Sequence, residues 1–163
     1  MNAERARAYM QEALDLAAKA DGRTWPNPMV GAVLVKQGKV VGRGYHKGPG
    51  LAHAEVAAIR DAGNEARGST CFVTLEPCNH TGRTPPCTEA LIKVGIEKVV
   101  YAMRDPNPIV AGTGLRRLKE AGIALEGPLL ENEAQALNAP YVIAQQQKRA
   151  AVTLKLALTL DAK

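Results

Sequence analysis

His53-Ala54-Glu55, followed by Pro77-Cys78 and then Cys87, is the stretch from which the reading of this chain starts. It offers one imidazole, two thiols able to bind a metal as thiolates, and a carboxylate that the ligand set does not need. Three N/S donors leave one tetrahedral position on a zinc ion open, as in catalytic sites, whereas closed structural sites take four protein ligands. His53 and Glu55 stand two apart, so on a helix they cannot share one line. One can ligate while the other faces a water beside the metal.

Working outward, both halves of this constellation fall at expected helix starts. Residues 53–62 have a helical pattern that ends at Gly63, and Cys87 follows Pro85-Pro86, a residue type suited to a first helical turn. The partial positive charge of a helix N-terminus stabilises thiolate and metal-bound hydroxide alike. Upstream, residues 29–35 form a continuous apolar, β-branched run, predicting a strand covered on both faces. Gln37-Gly38 turns the chain, and residues 39–45 return beside it. Met10, Ala13, Leu14 and Ala17 recur at helical spacing, predicting an amphipathic helix over 3–20 that Asp21-Gly22 stops. Downstream, strands over 70–75, 98–101 and 123–126 alternate with helices over 87–94, 115–121 and 131–138. Helices alternating with short buried strands imply a layered α/β sheet. The 150–163 tail is apolar and β-prone, like the opening strand of something further.

Composition bounds the function classes. With 163 residues and 46% hydrophobic content the chain suits one globular domain, while 4% aromatic argues against a surface built to stack many bases. The longest apolar run, 29–35, is far too short to span a bilayer. The first residues lack the apolar core of a signal peptide, so no membrane and a cytoplasmic location are expected. The net charge of +5 suits an anionic small molecule or RNA equally, and Arg116, Arg117 and Lys119 are assigned to a solvated helix face. The cysteines number three, and in a reducing compartment a Cys pair near a His is metal-binding first. Cys71, opening Cys71-Phe72-Val73, is assigned to the core.

The His-x-Glu and downstream Pro-Cys elements are the general signature of zinc nucleobase deaminases. The fuller set is Pro26-Asn27-Pro28-x-Val30-Gly31-Ala32, Gly44-x-His46, His53-Ala54-Glu55 and Thr74-Leu75-Glu76-Pro77-Cys78-x-His80-x-Gly82-Arg83-Thr84-Pro85-Pro86-Cys87. With Asp105-Pro106-Asn107-Pro108, Gly112-x-Gly114 and the Glu133 to Asn138 stretch, it resembles the deaminase domain of the bifunctional riboflavin-biosynthesis deaminase/reductases over nearly the whole chain. Eight residues separate Cys78 from Cys87 where most relatives have two, which sets this family apart from cytidine and tRNA adenosine deaminases.

The resemblance implies a three-layer α/β/α cytidine-deaminase-like fold with a central mixed sheet, assembled as a homo-oligomer. It implies one Zn2+ per chain on His53, Cys78 and Cys87, with Glu55 as the proton carrier. The implied substrate is diaminohydroxyphosphoribosylaminopyrimidine, whose ring amine is replaced by oxygen. Asn27 would hydrogen-bond the ring edge, His46 and His80 would line the pocket, and the fixed donor fork of Arg83 would approach phosphate or ribose. Asn27, between two prolines, could instead simply order a turn, and His46 could be a surface histidine.

Residues 152–161 resemble the first strand of the family's reductase domain, in whose site Lys155 would belong; Ala162 stands where glycine is usual. The organisation expected is therefore a deaminase domain over 1–148 and a reductase stub over 149–163. NADPH would be required only with the rest of that domain, so deamination alone is expected. Two competing readings stand beside this one. A tRNA adenosine or other nucleobase deaminase is disfavoured by the long loop and the scarcity of aromatics, so a phosphoribosylated pyrimidine, rather than nucleic acid, is the expected partner. A non-catalytic zinc-binding module would make Glu55 merely a surface residue of its helix.

Overall fold

Alternation along the strands splits the core in two. In β1 (Gly31–Lys36), Ala32 and Leu34 pack on one side while Val33 and Val35 pack on the other. β3 (Thr70–Val73) repeats the pattern with Cys71 and Val73 against Phe72, and β4 (Lys98–Tyr101) with Val99 and Tyr101 against Val100. Successive strand side chains point to opposite faces, so a sheet with apolar residues at every position must be covered twice.

The covers are helices. This computed structural model describes residues 2–82, 84–108 and 110–157. On one face lie α1 (Ala3–Ala18) and α5 (Glu131–Leu137); on the other lie α2 (Ala54–Ala62), α3 (Cys87–Val94) and α4 (Thr113–Glu120). Adding β2 (Lys39–Tyr45) and β5 (Ala124–Glu126) gives the sheet order β2-β1-β3-β4-β5. β1 pairs antiparallel with β2 and β3, whereas β3, β4 and β5 run parallel. The sheet is mixed and the architecture three-layered, as the sequence implied.

Local chemistry sets the boundaries. Asn2 caps α1, its Oδ1 accepting from Arg5 N at 2.9 Å. α3 ends at Gly95, whose left-handed φ of 80° suits the residue that closes a helix. Gly44 in β2 has no space for a side chain: an added Cβ would lie 2.3 Å from the Ala54 carbonyl oxygen. That approach seats the first turn of α2 directly on the sheet. Cys71 is fully buried, in keeping with its assignment to the core.

One expectation is corrected. The helix expected over 131–138 ends at Leu137, and after Asn138 a further helix, α6 (Ala139–Gln147), follows. Pro140 looks like a helix terminator in sequence but lies in the first turn of α6, where its missing N–H costs nothing. The tail is described only in part. Over 150–157 it forms no strand, and Val152 and Leu154 are 85% and 78% exposed. A strand needs a hydrogen-bonded neighbour, and this segment pairs with none among the described residues. Lys155 lies exposed there, and the remainder of the expected strand, with Ala162, falls outside the described residues. Among the described residues no helix is long and apolar enough to cross a membrane.

Candidate metal centre and active site

α2 and α3 deliver the reactive groups from their N-termini. His53 is the N-cap of α2, in extended conformation, and Glu55 lies in its first turn. Cys87 opens α3. Cys78 lies in the loop after β3, and the Cys87 backbone N–H donates to its Sγ at 3.4 Å. A helix N-terminus aimed at a sulfur favours the thiolate.

The three donors converge. His53 Nδ1 lies 3.1 Å from Cys87 Sγ and 3.5 Å from Cys78 Sγ. The ligand atoms of all three lie within 4.8 Å of one another. Bonds of about 2.0–2.3 Å to a tetrahedral zinc place its donors roughly 3.5 Å apart, and thiolates with imidazole are the donor set zinc prefers. The residues therefore fit the metal. His53 Nε2 lies 3.3 Å from Thr84 Oγ1, so an Nε2–H can donate there and leave the Nδ1 lone pair facing the sulfurs. No fourth His, Cys, Asp or Glu joins the group among the described residues.

Hydrogen bonds among the three donors shift their pKa values in opposite directions. The hydrogen bond from the Cys87 thiol, with one from His53, lowers the pKa of the Cys78 thiol, against the opposing effect of burial. Cys87, which gives that bond, is pushed well up, and the Cys78 bond raises His53. Glu55 is 3% exposed, and burial, reinforced by the Cys78 charge, raises its carboxyl to about 7. A carboxyl poised there can both take and return a proton near neutrality. Its burial on the cavity wall removes the reading in which Glu55 is a surface residue of a plain zinc module.

Beside the cluster opens a cavity of ≈ 530 Å³, lined among others by Asn27, His46, His53, Glu55, Cys78 and His80. Asn27 Nδ2 donates to His46 Nε2 at 3.0 Å, and His46 Nδ1 donates to the Ala52 carbonyl at 3.2 Å. With one ring nitrogen accepting and the other donating, His46 is neutral, and burial accordingly lowers its pKa. The surface reading of His46 is overturned: it is 3% exposed. Asn27 does order a turn, its N–H donating to Thr24 O at 2.7 Å, and it lines the cavity as well. His80 is exposed on the loop between the two cysteines and reaches the same cavity. Arg83 lies outside the described residues.

Other wall residues were not singled out from the sequence. The Glu76 carboxylate accepts from Gly112 N and Gly114 N, each at 3.0 Å, and from Leu115 N at 3.3 Å. It holds the start of α4 against the Cys78 loop, so closely that a Cβ on Gly114 would lie 1.9 Å from Pro77 O. Asp105 Oδ1 accepts from Asn107 N at 2.9 Å and from the Tyr141 hydroxyl at 3.0 Å, and burial raises its pKa. Glu76 and Asp105 lay inside quoted motifs. Tyr141, one turn into the unforeseen α6, carried no signal beyond its place after Pro140.

The family described as "Cytidine and deoxycytidylate deaminase zinc-binding region" matches residues 3–103. The chain is 53% identical over 155 residues to riboflavin biosynthesis protein RibD of Aquifex aeolicus, covering 95% of this chain and 44% of that protein. RibD of Acinetobacter baumannii (form 2) superposes with a TM-score of 0.93 at 47% identity, over 97% of this chain and 45% of that one. A diaminohydroxyphosphoribosylaminopyrimidine deaminase/5-amino-6-(5-phosphoribosylamino)uracil reductase from Thermotoga maritima gives 0.91 at 43% identity, over 97% and 46%. The chain thus spans less than half the length of these relatives. A match across the His53–Cys87 cluster and most of the sheet means that the chain belongs to the cytidine and deoxycytidylate deaminase zinc-binding family.

Proposed function

We propose that this chain hydrolytically deaminates diaminohydroxyphosphoribosylaminopyrimidine, exchanging a ring amine for oxygen and releasing ammonia in riboflavin biosynthesis. The observation that carries the reading is Glu55: a buried carboxyl near neutrality, on the cavity wall beside three convergent N/S donors. The near-50% identity to RibD proteins supports this substrate.

His53, Cys78 and Cys87 would hold a zinc ion, which when bound would supply Lewis acidity to lower the pKa of a water to roughly 7. Glu55 accepts one proton from the attacking water and delivers it to a ring nitrogen, then takes the second from the hydroxyl of the resulting adduct and passes it to the amine, which leaves as ammonia as the C–O bond becomes a carbonyl. Thr84 holds the His53 ring, and the neutral His46 holds Asn27. Among the described residues Asn27 Oδ1 makes no hydrogen bond, leaving an acceptor for the N–H edge of a pyrimidine. His80 lines the pocket, and the donor fork of Arg83 is assigned to the phosphate or ribose. Residues 1–148 form the deaminase unit and 149–163 begin a reductase unit, the part that would use NADPH. The protein works as a homo-oligomer in the cytoplasm.

The test is incubation of the purified protein with the diaminopyrimidine phosphate, following ammonia. Release should stop with chelator and return with zinc. A protein carrying one zinc per chain that releases no ammonia, or one that deaminates an RNA stem-loop instead, would sink the reading.

A further inference from the structure

We propose that Asn138 is a positioning residue for substrate binding, clamping the Met29 peptide so that the Asn27 amide is held in the cavity. The Trp25-Pro26-Asn27-Pro28-Met29 segment has few ways to attach itself. Pro26 and Pro28 have no N–H, and the Asn27 N–H is spent locally on Thr24 O. Met29 supplies the next free peptide, and Asn138 takes both of its groups. Met29 N donates to Asn138 Oδ1 at 2.8 Å, and Asn138 Nδ2 donates to Met29 O at 2.9 Å, across 109 residues of sequence.

The Asn138 side chain is 2% exposed. A buried primary amide is costly unless bonded, so a residue that only filled space here would be better apolar. Both ends of this amide are matched to the N–H and C=O of one residue, as a neighbouring strand would match them. Asn138 is itself held in the joint between α5 and α6, its N–H on Ala134 O and its carbonyl on Val142 N. One residue past the clamp, Val30 O accepts from His46 N at 2.9 Å, so Asn27 and its partner His46 are registered on the same stretch of backbone. The C-terminal helix pair, outside residues 3–103 matched by the family, thereby sets the position of a group at the far wall.

The effect on binding rests on the proposed deamination; the clamp does not. The experiment uses the zinc-loaded full chain and its sole tryptophan, Trp25, which is 64% exposed within the clamped segment. In Asn138→Ala, KM for the diaminopyrimidine phosphate should rise about tenfold, the equivalent of one ligand hydrogen bond, with kcat within about threefold. Zinc content should hold, and Trp25 fluorescence should depolarise faster. Leu137→Ala, which removes a neighbouring side chain packed in the α1-side core, should lower stability and leave both readouts unchanged. In the wild type, the Met29 amide should be protected from hydrogen exchange. Exchange at Met29 as fast as at exposed amides would overturn the proposal, as would equal responses in the two variants. A wild type without turnover would sink the deaminase reading alone, since exchange and depolarisation still decide whether the clamp exists.

Discussion

His53, Glu55 and Cys87 stand on the first turns of two helices, whereas Asn27, His80 and Asp105, across the same cavity, ride on loops. The helical wall is fixed by backbone: β2 lies against α2 with no room for a side chain at Gly44, and α3 aims its N-terminus at Cys78. The loop wall is fixed by side chains reaching from elsewhere, Glu76 to the start of α4, Tyr141 to Asp105 and Asn138 to Met29. Proton transfer and metal binding tolerate little displacement; Glu55 and two of the three ligands stand on helix starts, and the third, Cys78, lies on a loop but is tied to one of them by the Cys87 N–H. Recognition sits where a family can vary its contacts without moving the metal.

Glu55→Gln is the sharpest way to break this contrast. It keeps the shape of the side chain and removes its proton chemistry. Turnover should fall by a hundred- to ten-thousandfold, while zinc content and KM stay near those of the wild type. Loss of zinc with turnover, measured by metal analysis, would mean that Glu55 belongs to the ligand set and that the wall does not separate the two tasks.

Gly44→Ala probes the scaffold beneath. The added methyl would meet Ala54 O at 2.3 Å and Ala58 N at 2.4 Å, both backbone atoms that cannot swing away. A loss of about 1–3 kcal/mol in urea denaturation is expected. Weaker zinc retention against a competing chelator should accompany it, because α2 carries His53. Destabilisation with unchanged zinc affinity would show that the metal end does not depend on this contact.

The same contrast explains what could be read from sequence. Metal chemistry demands particular residue types at short spacing, so His53, Glu55, Cys78 and Cys87 are legible as a group. The apolar run over 29–35 likewise announces a strand covered on both faces, whereas the three layers come from the family resemblance. Asn138 and Tyr141 act across 109 and 36 residues, through a pair of hydrogen bonds and a single one, which leave no periodicity behind. α6 was missed because Pro140 looks the same in sequence whether it ends a helix or begins one. The apolar alternation of the 150–157 tail states strand propensity, and pairing needs a neighbour that the described residues do not supply.

Tyr141→Phe tests the loop wall, with the smallest effect. Burial raises the Asp105 pKa above its ordinary value; hydrogen bonds from Asn107 and Tyr141 pull it partly back, Glu76 adds to the rise, and His80 opposes it. A carboxyl whose folded-state pKa is raised favours folding at low pH, and that contribution fades as pH climbs through the folded pKa. Removing the Tyr141 hydroxyl takes away a bond that favours the charged form, so the folded pKa rises further. The variant should then fall behind the wild type progressively as pH rises through the folded-state pKa of Asp105, which lies above its ordinary value in the wild type and higher still in the variant. The gap should reach about 1 kcal/mol once Asp105 is ionised in both. Urea denaturation across that range measures it. A stability difference that is the same at every pH would mean that the hydroxyl only packs against Asp105 and does not stabilise its charge.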